Sequence, residues 1–341
     1  MPTRFEQELT ESPQALLDLL AWSQGPGAEA YAAWRTGLAG IRRVIGLGMG
    51  TSSFAPATMR PGLARAGIRF HPVEAGEWLH SHDSPADGER LVLTSQSGAS
   101  AEIVRLVERG LPAGTVAITN QRASPLGRVG APAFLLNAGE EAAISTKTYL
   151  NTLATGHLLG AAVTGDLAAW HRRLAAAAVT LRSFDAAAVA QAAQILAGTQ
   201  ALAVVGRLHA APAVQQFALT LAEGAAMAGV PFVGGSFRHG PLEAAGPGLG
   251  VVAFAPADAT GDLVVRAAVD AARLRSPVVV LTDRVALPAG LLRIPVPPGV
   301  DAEDFSLRAS RSQAHLVGAI AARRGREAGV FRVNSKITVT E

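Results

Sequence analysis

Four groups of residues have the types and spacing to do chemistry. The first is Thr94-Ser95-Gln96-Ser97-Gly98-Ala99-Ser100, which follows the apolar run Leu91-Val92-Leu93 and precedes a helical pattern of Ile103, Val104 and Val107 among Glu102, Arg105 and Glu108. Strand, tight turn and helix start are expected there. Such a turn gathers backbone N–H groups and hydroxyls beside the positive end of a helix dipole, a site suited to phosphate. Ser and Thr also serve as ordinary helix caps, and that alternative stays open for any one of them. The second group is Gly48-Met49-Gly50-Thr51-Ser52-Ser53, another glycine-and-hydroxyl turn after the buried strand Arg43–Gly48.

The third group lies in the second half of the chain. Gln216, Thr220 and Glu223 fall at i, i+4 and i+7 and share one face of an otherwise apolar helix over 213–229. A carboxylate in apolar surroundings suits proton transfer. Glu223 reads also as a solvated or helix-paired carboxylate. His239 stands in the short loop Phe237-Arg238-His239-Gly240-Pro241, as an acid–base group or as a structural loop histidine. The fourth group is Lys336, in a β-branched tail, Arg332–Glu341, that has the composition of a segment held in place rather than fraying.

The elements needed to position these groups follow from periodicity. Helix is expected from Phe5 to about Leu38, broken at Gly25-Pro26-Gly27. Strands are expected at 43–48, 68–73, 91–94, 115–120 and 133–136, with a polar connection over 74–87 and a helix over 145–163. Strands alternating with helices give a parallel, doubly wound sheet, and ligands bind at the carboxyl ends of its strands. After an Ala-rich helical connection over 167–197 the pattern recurs. Val44 corresponds to Val204 and Val104 to Val264, both at an offset of 160 residues. The expected fold class is therefore α/β, two tandem doubly wound, flavodoxin-like domains with parallel sheets. The expected division is an N-terminal helical segment 1–39, a first domain 40–165, a helical connection 166–197, a second domain 198–325 and a tail 326–341. Ser95, Gln96 and Ser97 become Ala255, Pro256 and Ala257 in the second copy, so one phosphate pocket is expected, in the first.

Composition removes other classes. The 341 residues are 49% hydrophobic and 17% charged, with a formal charge of +3 and scattered arginines, which is no nucleic-acid footprint. No apolar run is long enough for a membrane helix, and Glu6, Glu8, Glu11 and Asp18 argue against a secretory leader, so a cytoplasmic location is expected. With 0 cysteines, disulfides, thiolate metal sites and a cysteine nucleophile are excluded. His80 and His82 are the one close histidine pair, with Asp83 the other obvious ligand nearby; no metal site is expected.

Taken together these motifs resemble the tandem sugar isomerase (SIS) family, over nearly the whole chain. Gly50-Thr51-Ser52 resembles its Gly-Thr-Ser turn, Ser95-Gln96-Ser97-Gly98 with Ser100 its phosphate loop, and Ser145-Thr146-Lys147 its Ser/Ala-Thr-Lys helix start. Gly206-Arg207 through His239-Gly240-Pro241 runs with the family pattern without a gap. The resemblance implies a phosphosugar held by Thr51, Ser52, Ser95, Gln96, Ser97 and Ser100, with sugar contacts at Ile144 and Ser335. It implies Glu223 as the proton-shuttling base, His239 as the ring-opening residue and Lys336 as the tail lysine that forms an imine in the synthase branch. It also implies a homodimer in which His239 acts in the neighbouring subunit's site, and no cofactor. The reaction implied is aldose–ketose isomerisation of a hexose 6-phosphate, foremost glucosamine 6-phosphate to fructose 6-phosphate plus ammonia. A plain isomerase, a fructosamine-type deglycase and a non-catalytic phosphosugar sensor are the alternatives. Departures are Gln216 where the synthases carry a second Glu, Ala99 in place of a frequent Glu or Arg, and a 138–145 segment one residue shorter than usual. Lacking cysteine, this stretch has no thiol with which to take ammonia from glutamine.

Overall fold

The structure, a computed structural model, describes residues 2–81, 83–129, 132–142, 144–331, 333, 336 and 338. Two compact units result. One comprises Glu11–Glu141, Lys147–Val179 and Arg332–Glu341; the other comprises Met1–Thr10, Ala142–Thr146 and Thr180–Phe331.

The first unit is built on β1 (Arg43–Gly48), β2 (Arg69–Glu74), β3 (Glu89–Thr94), β4 (Val116–Thr119) and β5 (Ala133–Leu135). All pairings are parallel and the order is β2-β1-β3-β4-β5. Val44, Ile45, Leu47, Val92, Leu93, Ala117 and Ile118 are buried, as strands covered on both faces must be. The helix Lys147–Thr164 is buried from Lys147 to Ala162. Its Gly160 lies so close to Gly62 that a Cβ on Gly62 would overlap the Gly160 backbone, which is why glycine occupies that crossing.

One expectation is corrected in this unit. The stretch after β2, read as a polar connection, contains the helix Ala75–Ser81. Trp78 and Leu79 give it an apolar face that is buried, and the Glu74 carboxylate accepts the Glu77 N–H at 3.1 Å to start it.

The second unit repeats the plan with β6 (Ala201–Gly206), β7 (Ala228–Val233), β8 (Leu249–Phe254), β9 (Val278–Thr282) and β10 (Leu292–Pro295), all parallel in the order β10-β9-β8-β6-β7. Counted from the first strand of each unit, both sheets have the flavodoxin-like order 2-1-3-4-5. Phe217 and Phe254 meet edge to face at 5.9 Å in its core. The helix expected over 213–229 runs instead from Ala211 to Ala225. Ala226 turns left-handed (φ 45°) and ends it, and Gly229 belongs to β7, where its missing side chain lets the strand approach Ala218.

Candidate active site

In a 2-1-3-4-5 sheet the chain leaves in opposite directions after its first and third strands, and the crevice between those strand ends is the binding position. Here the two strands are β1 and β3, paired in parallel through Leu47 and Leu93. The segments that follow them are the two hydroxyl-rich turns. Thr51, Ser52, Ser95, Gln96, Ser97 and Ser100 are thus gathered at one end of one sheet.

The phosphate loop is shaped by its own backbone. Gly98 has φ 64°, and its N–H is donated to the Ser95 Oγ at 3.1 Å. Ser95 is 5% exposed, so its hydroxyl oxygen builds the turn. The Ser97 Oγ accepts the Ala99 N–H at 3.2 Å, which leaves its proton available to a ligand oxygen. Ser100 is the N-cap of the helix Ala101–Arg109, yet its side chain makes no capping bond. In the other turn, Gly50 has φ 49°, and the Ser53 N–H and Oγ both donate to the Gly50 carbonyl.

The corresponding loop of the second unit is filled by the chain's own carboxylates. Asp258 caps the helix Ala259–Arg273 by accepting the Gly261 N–H at 2.8 Å, and Asp283 accepts the Ala257 N–H at 2.7 Å. Two anions of the protein sit on the donors that an outside anion needs. The two copies share a fold and differ in what stands at this helix start.

Two features of the first unit lay outside the sequence reading. Asn120, at the end of β4, joins the phosphate loop to the 138–141 segment. Its N–H donates to the Gln96 carbonyl (3.0 Å), its Nδ2 donates to the Gly139 carbonyl (2.8 Å), and its Oδ1 accepts the Ala138 N–H (2.8 Å). Glu141, on that segment, has a fully buried side chain. It accepts the Thr148 N–H (3.1 Å), the Thr148 hydroxyl (2.6 Å) and the Lys336 ammonium (2.7 Å). Two adjacent acids between a strand and a helix carry no sequence signal, and an Asn at a strand end reads as any turn former.

Lys336 is therefore held in place; of the tail expected to be tied down, only 333, 336 and 338 are among the described residues. The Thr338 carbonyl also accepts the Ala101 N–H at 3.2 Å, the first donor of the helix that follows the phosphate loop. Lys147 of the Ser-Thr-Lys motif is 3% exposed, pairs with Glu11 at 2.5 Å and donates to the Glu140 carbonyl at 2.7 Å. Its work is to hold the segment that carries Glu141.

In the second unit, Glu223 is half-buried on the last turns of the helix Ala211–Ala225. Gln216 and Thr220 of the same face are buried and committed. The Gln216 Nε2 donates to the Ser145 carbonyl at 3.1 Å, and the Thr220 hydroxyl donates to the Gln216 carbonyl at 2.8 Å. Ile144 is 2% exposed and its side chain belongs to the core beside Gly224. His239 is exposed at the end of the turn Ser236–Arg238. Buried Phe237 and the Arg238–Asp270 ion pair (2.6 Å) anchor its loop, and Gly240 (φ 119°) reverses the chain into Pro241. Ser335 lies outside the described residues. Among the described residues no group of three or more His, Asp or Glu is arranged to hold a metal, and no helix is long and apolar enough to cross a membrane.

Known proteins bear on this geometry. Residues 37–162, which carry β1 to β5 and both turns, match the SIS domain family. The chain is 31% identical over 271 residues to the isomerizing glutamine–fructose-6-phosphate aminotransferase of Aeropyrum pernix, a match covering 74% of this chain and 43% of that protein. The aminotransferase of the same name from Leifsonia xyli is 26% identical over 281 residues, covering 76% and 45%. The chain thus spans less than half the length of the curated relatives it matches. Among solved structures, the C-terminal domain of glucosamine-fructose-6-phosphate aminotransferase from Francisella tularensis superposes with a TM-score of 0.84 at 20% identity, over 96% of this chain and 98% of that one. Tagatose-6-phosphate ketose/aldose isomerase from Escherichia coli gives 0.77 at 18% identity, over 94% and 93%. Likeness at such identities establishes the fold, and it extends over both units. The phosphate-loop and Gly-Thr-Ser motifs both lie inside residues 37–162, the stretch that matches the SIS domain family.

Proposed function

We propose that this chain is an aldose–ketose isomerase of a hexose 6-phosphate that releases the amine when the substrate is an amino sugar, converting glucosamine 6-phosphate and water to fructose 6-phosphate and ammonia. The observation that carries the reading is the contrast between the two copies. The helix after the first phosphate loop carries an N-cap serine that makes no side-chain cap, whereas its counterpart is capped by Asp258. Retaining hydroxyls in one copy and filling the other with carboxylates is the pattern of one dianion site per chain.

In this reading the phosphate takes donors from Ser52, Ser97 and Ser100 and from the loop backbone. His239, supplied by the neighbouring subunit of a homodimer, assists ring opening to the aldehyde. The C1 carbonyl acidifies the C2–H, and no cofactor is needed. Glu223 removes the C2 proton to give an enolamine and returns a proton to C1, which leaves an imine at C2. Water adds to that carbon, and ammonia leaves as the ketone forms.

The test is turnover of glucosamine 6-phosphate by the purified protein, with ketose and ammonia measured together. Equal amounts of fructose 6-phosphate and ammonia are expected. Ketose without ammonia from other hexose 6-phosphates selects plain isomerisation. Amine release from a glycated amino-acid phosphate selects a deglycase. Tight binding of a phosphosugar with no turnover of any selects a sensor and overturns the proposal.

A further inference from the structure

We propose that Glu141 is a positioning residue for Lys336: a buried carboxylate that latches the C-terminal tail beside the phosphate loop and delivers the lysine ammonium to the sugar end of the site. The functional part of this inference rests on the phosphosugar reading above; the latch itself does not.

The argument begins with the anchoring of Glu141. Lys147, itself buried, holds the preceding carbonyl, and Asn120 holds Ala138 and Gly139. The Glu141 side chain is 0% exposed and receives both donors of Thr148, at the start of the long buried helix. A carboxylate so fixed cannot follow a mobile partner, so Lys336 must come to it. Lys336 does so at 2.7 Å, with its side chain 20% exposed, low for a lysine on a tail. Two residues later the Thr338 carbonyl closes on the Ala101 N–H. The tail therefore has two anchor points. One leads through Glu141 to the Ser-Thr-Lys segment, the other to the first turn of the helix that follows the phosphate loop.

The charge balance fits a latch rather than a decoration. Removing the cation from a buried carboxylate is costly, so the pair is asymmetric in cost: either partner alone is worse than both or neither. A ligand phosphate at the loop and the tail carbonyl at Ala101 draw on the same helix terminus, which couples tail position to phosphate occupancy. Glu141 then sets where Lys336 stands when the sugar arrives.

The experiment uses the bond after Lys336, which trypsin can cut only when that side chain leaves Glu141. Release of the pentapeptide 337–341 is followed by mass spectrometry in the full chain, with cuts elsewhere as the background. Glu141→Gln keeps the shape and removes the charge, and under conditions where the variant remains folded release should be at least about tenfold faster than in wild type. Glu141→Asp should restore part of the protection. Should Glu141→Gln fold poorly, Thr148→Val, which removes one donor and leaves the ion pair's charges, should accelerate release by a smaller factor. Equal release rates in wild type and in the folded variants overturn the latch. The functional part is read in a double-mutant cycle on whichever phosphosugar turns over. Glu141→Gln should lower kcat in the wild-type background and have no further effect in Lys336→Ala. Additive losses overturn the role through Lys336. If no phosphosugar turns over, the proposed function fails while the proteolysis still decides the latch.

Discussion

Gly98 and Ser124 occupy the same small space: a Cβ built on Gly98 would overlap the Ser124 Oγ, and Gly98 already has φ 64°. Two separate constraints thus exclude every other residue from the middle of the phosphate loop. Ser124 cannot yield, because its hydroxyl donates to the Gln121 carbonyl at 2.6 Å and accepts the Gly127 N–H at 3.1 Å.

Gly98→Ala should therefore cost at least about 2 kcal/mol of stability, left-handed strain and overlap together. Gly67→Ala is the control for strain alone, since Gly67 has φ 74° and no atom lies within 4 Å of its Cβ position. Urea unfolding of both variants should rank Gly98→Ala the more damaging. Equal losses would mean that the loop moves aside.

Ser97→Ala tests the anion site without reshaping it. The hydroxyl accepts one N–H, from Ala99, so the turn loses little. What disappears is a donor to a dianion, and charge-assisted bonds of this kind contribute roughly 1.5–3 kcal/mol. Affinity for a hexose 6-phosphate, read by calorimetry, should fall at least about tenfold at an unchanged unfolding midpoint. The second unit cannot compensate, having Ala257 at the matching position and Asp283 on its N–H. Unchanged affinity would place the phosphate elsewhere.

The sheets, their order of elements and the two turns were legible in the sequence because each follows from local rules. Buried parallel strands are continuous apolar runs, and the 160-residue repeat exposes the duplication. The helix at Ala75–Ser81 was not, because it is only seven residues long, three of them polar, and Trp78 and Leu79 are the only large side chains on its inner face. The end of the Glu223 helix was misplaced because nothing in Ala226 advertises a left-handed conformation. In the site, hydroxyls and glycines announce themselves by type and spacing. Glu141 does not, since its meaning depends on Lys336, 195 positions later. Asp258 shows the same limit: its capping of the second copy's helix is what separates two loops of one ancestry, and that is a fact of geometry.

His315 predicts a pH dependence. Its ring stacks on Phe184 at 3.7 Å, and its Nε2 is buried without a hydrogen-bond partner. Burial, with Arg311 beside it and Glu6 opposing, lowers its pKa from 6.5 to about 4. The folded protein holds the neutral ring, so this contribution to stability is fully present above pH 6.5 and is lost as pH falls towards 4. His315→Phe keeps a ring on Phe184 and removes the titration. Between pH 7 and 4.5 the wild type should lose roughly 2 kcal/mol more than the variant. His171, whose pKa burial also lowers, titrates in both proteins and cancels in the comparison. Parallel unfolding curves across that range would refute a neutral buried His315.

The last prediction concerns the proton. Glu223 shares its helix face with Gln216 and Thr220, and both are spent within the unit, on Ser145 and on the helix backbone. Glu223 is the one carboxylate of the three, and it is half-buried rather than buried. Glu223→Gln preserves volume and hydrogen-bonding capacity while removing the base. Phosphosugar affinity should stay within about threefold of wild type, because the phosphate is bound elsewhere. Exchange of the substrate C2 proton with deuterated solvent should fall by at least about a hundredfold, the contribution of a positioned general base. The two readouts separate binding from chemistry. Loss of both would mean that the substitution disturbs the fold or the ground-state complex. Exchange at the wild-type rate would show that another group moves the proton, and Glu223 would then be an ordinary helix carboxylate.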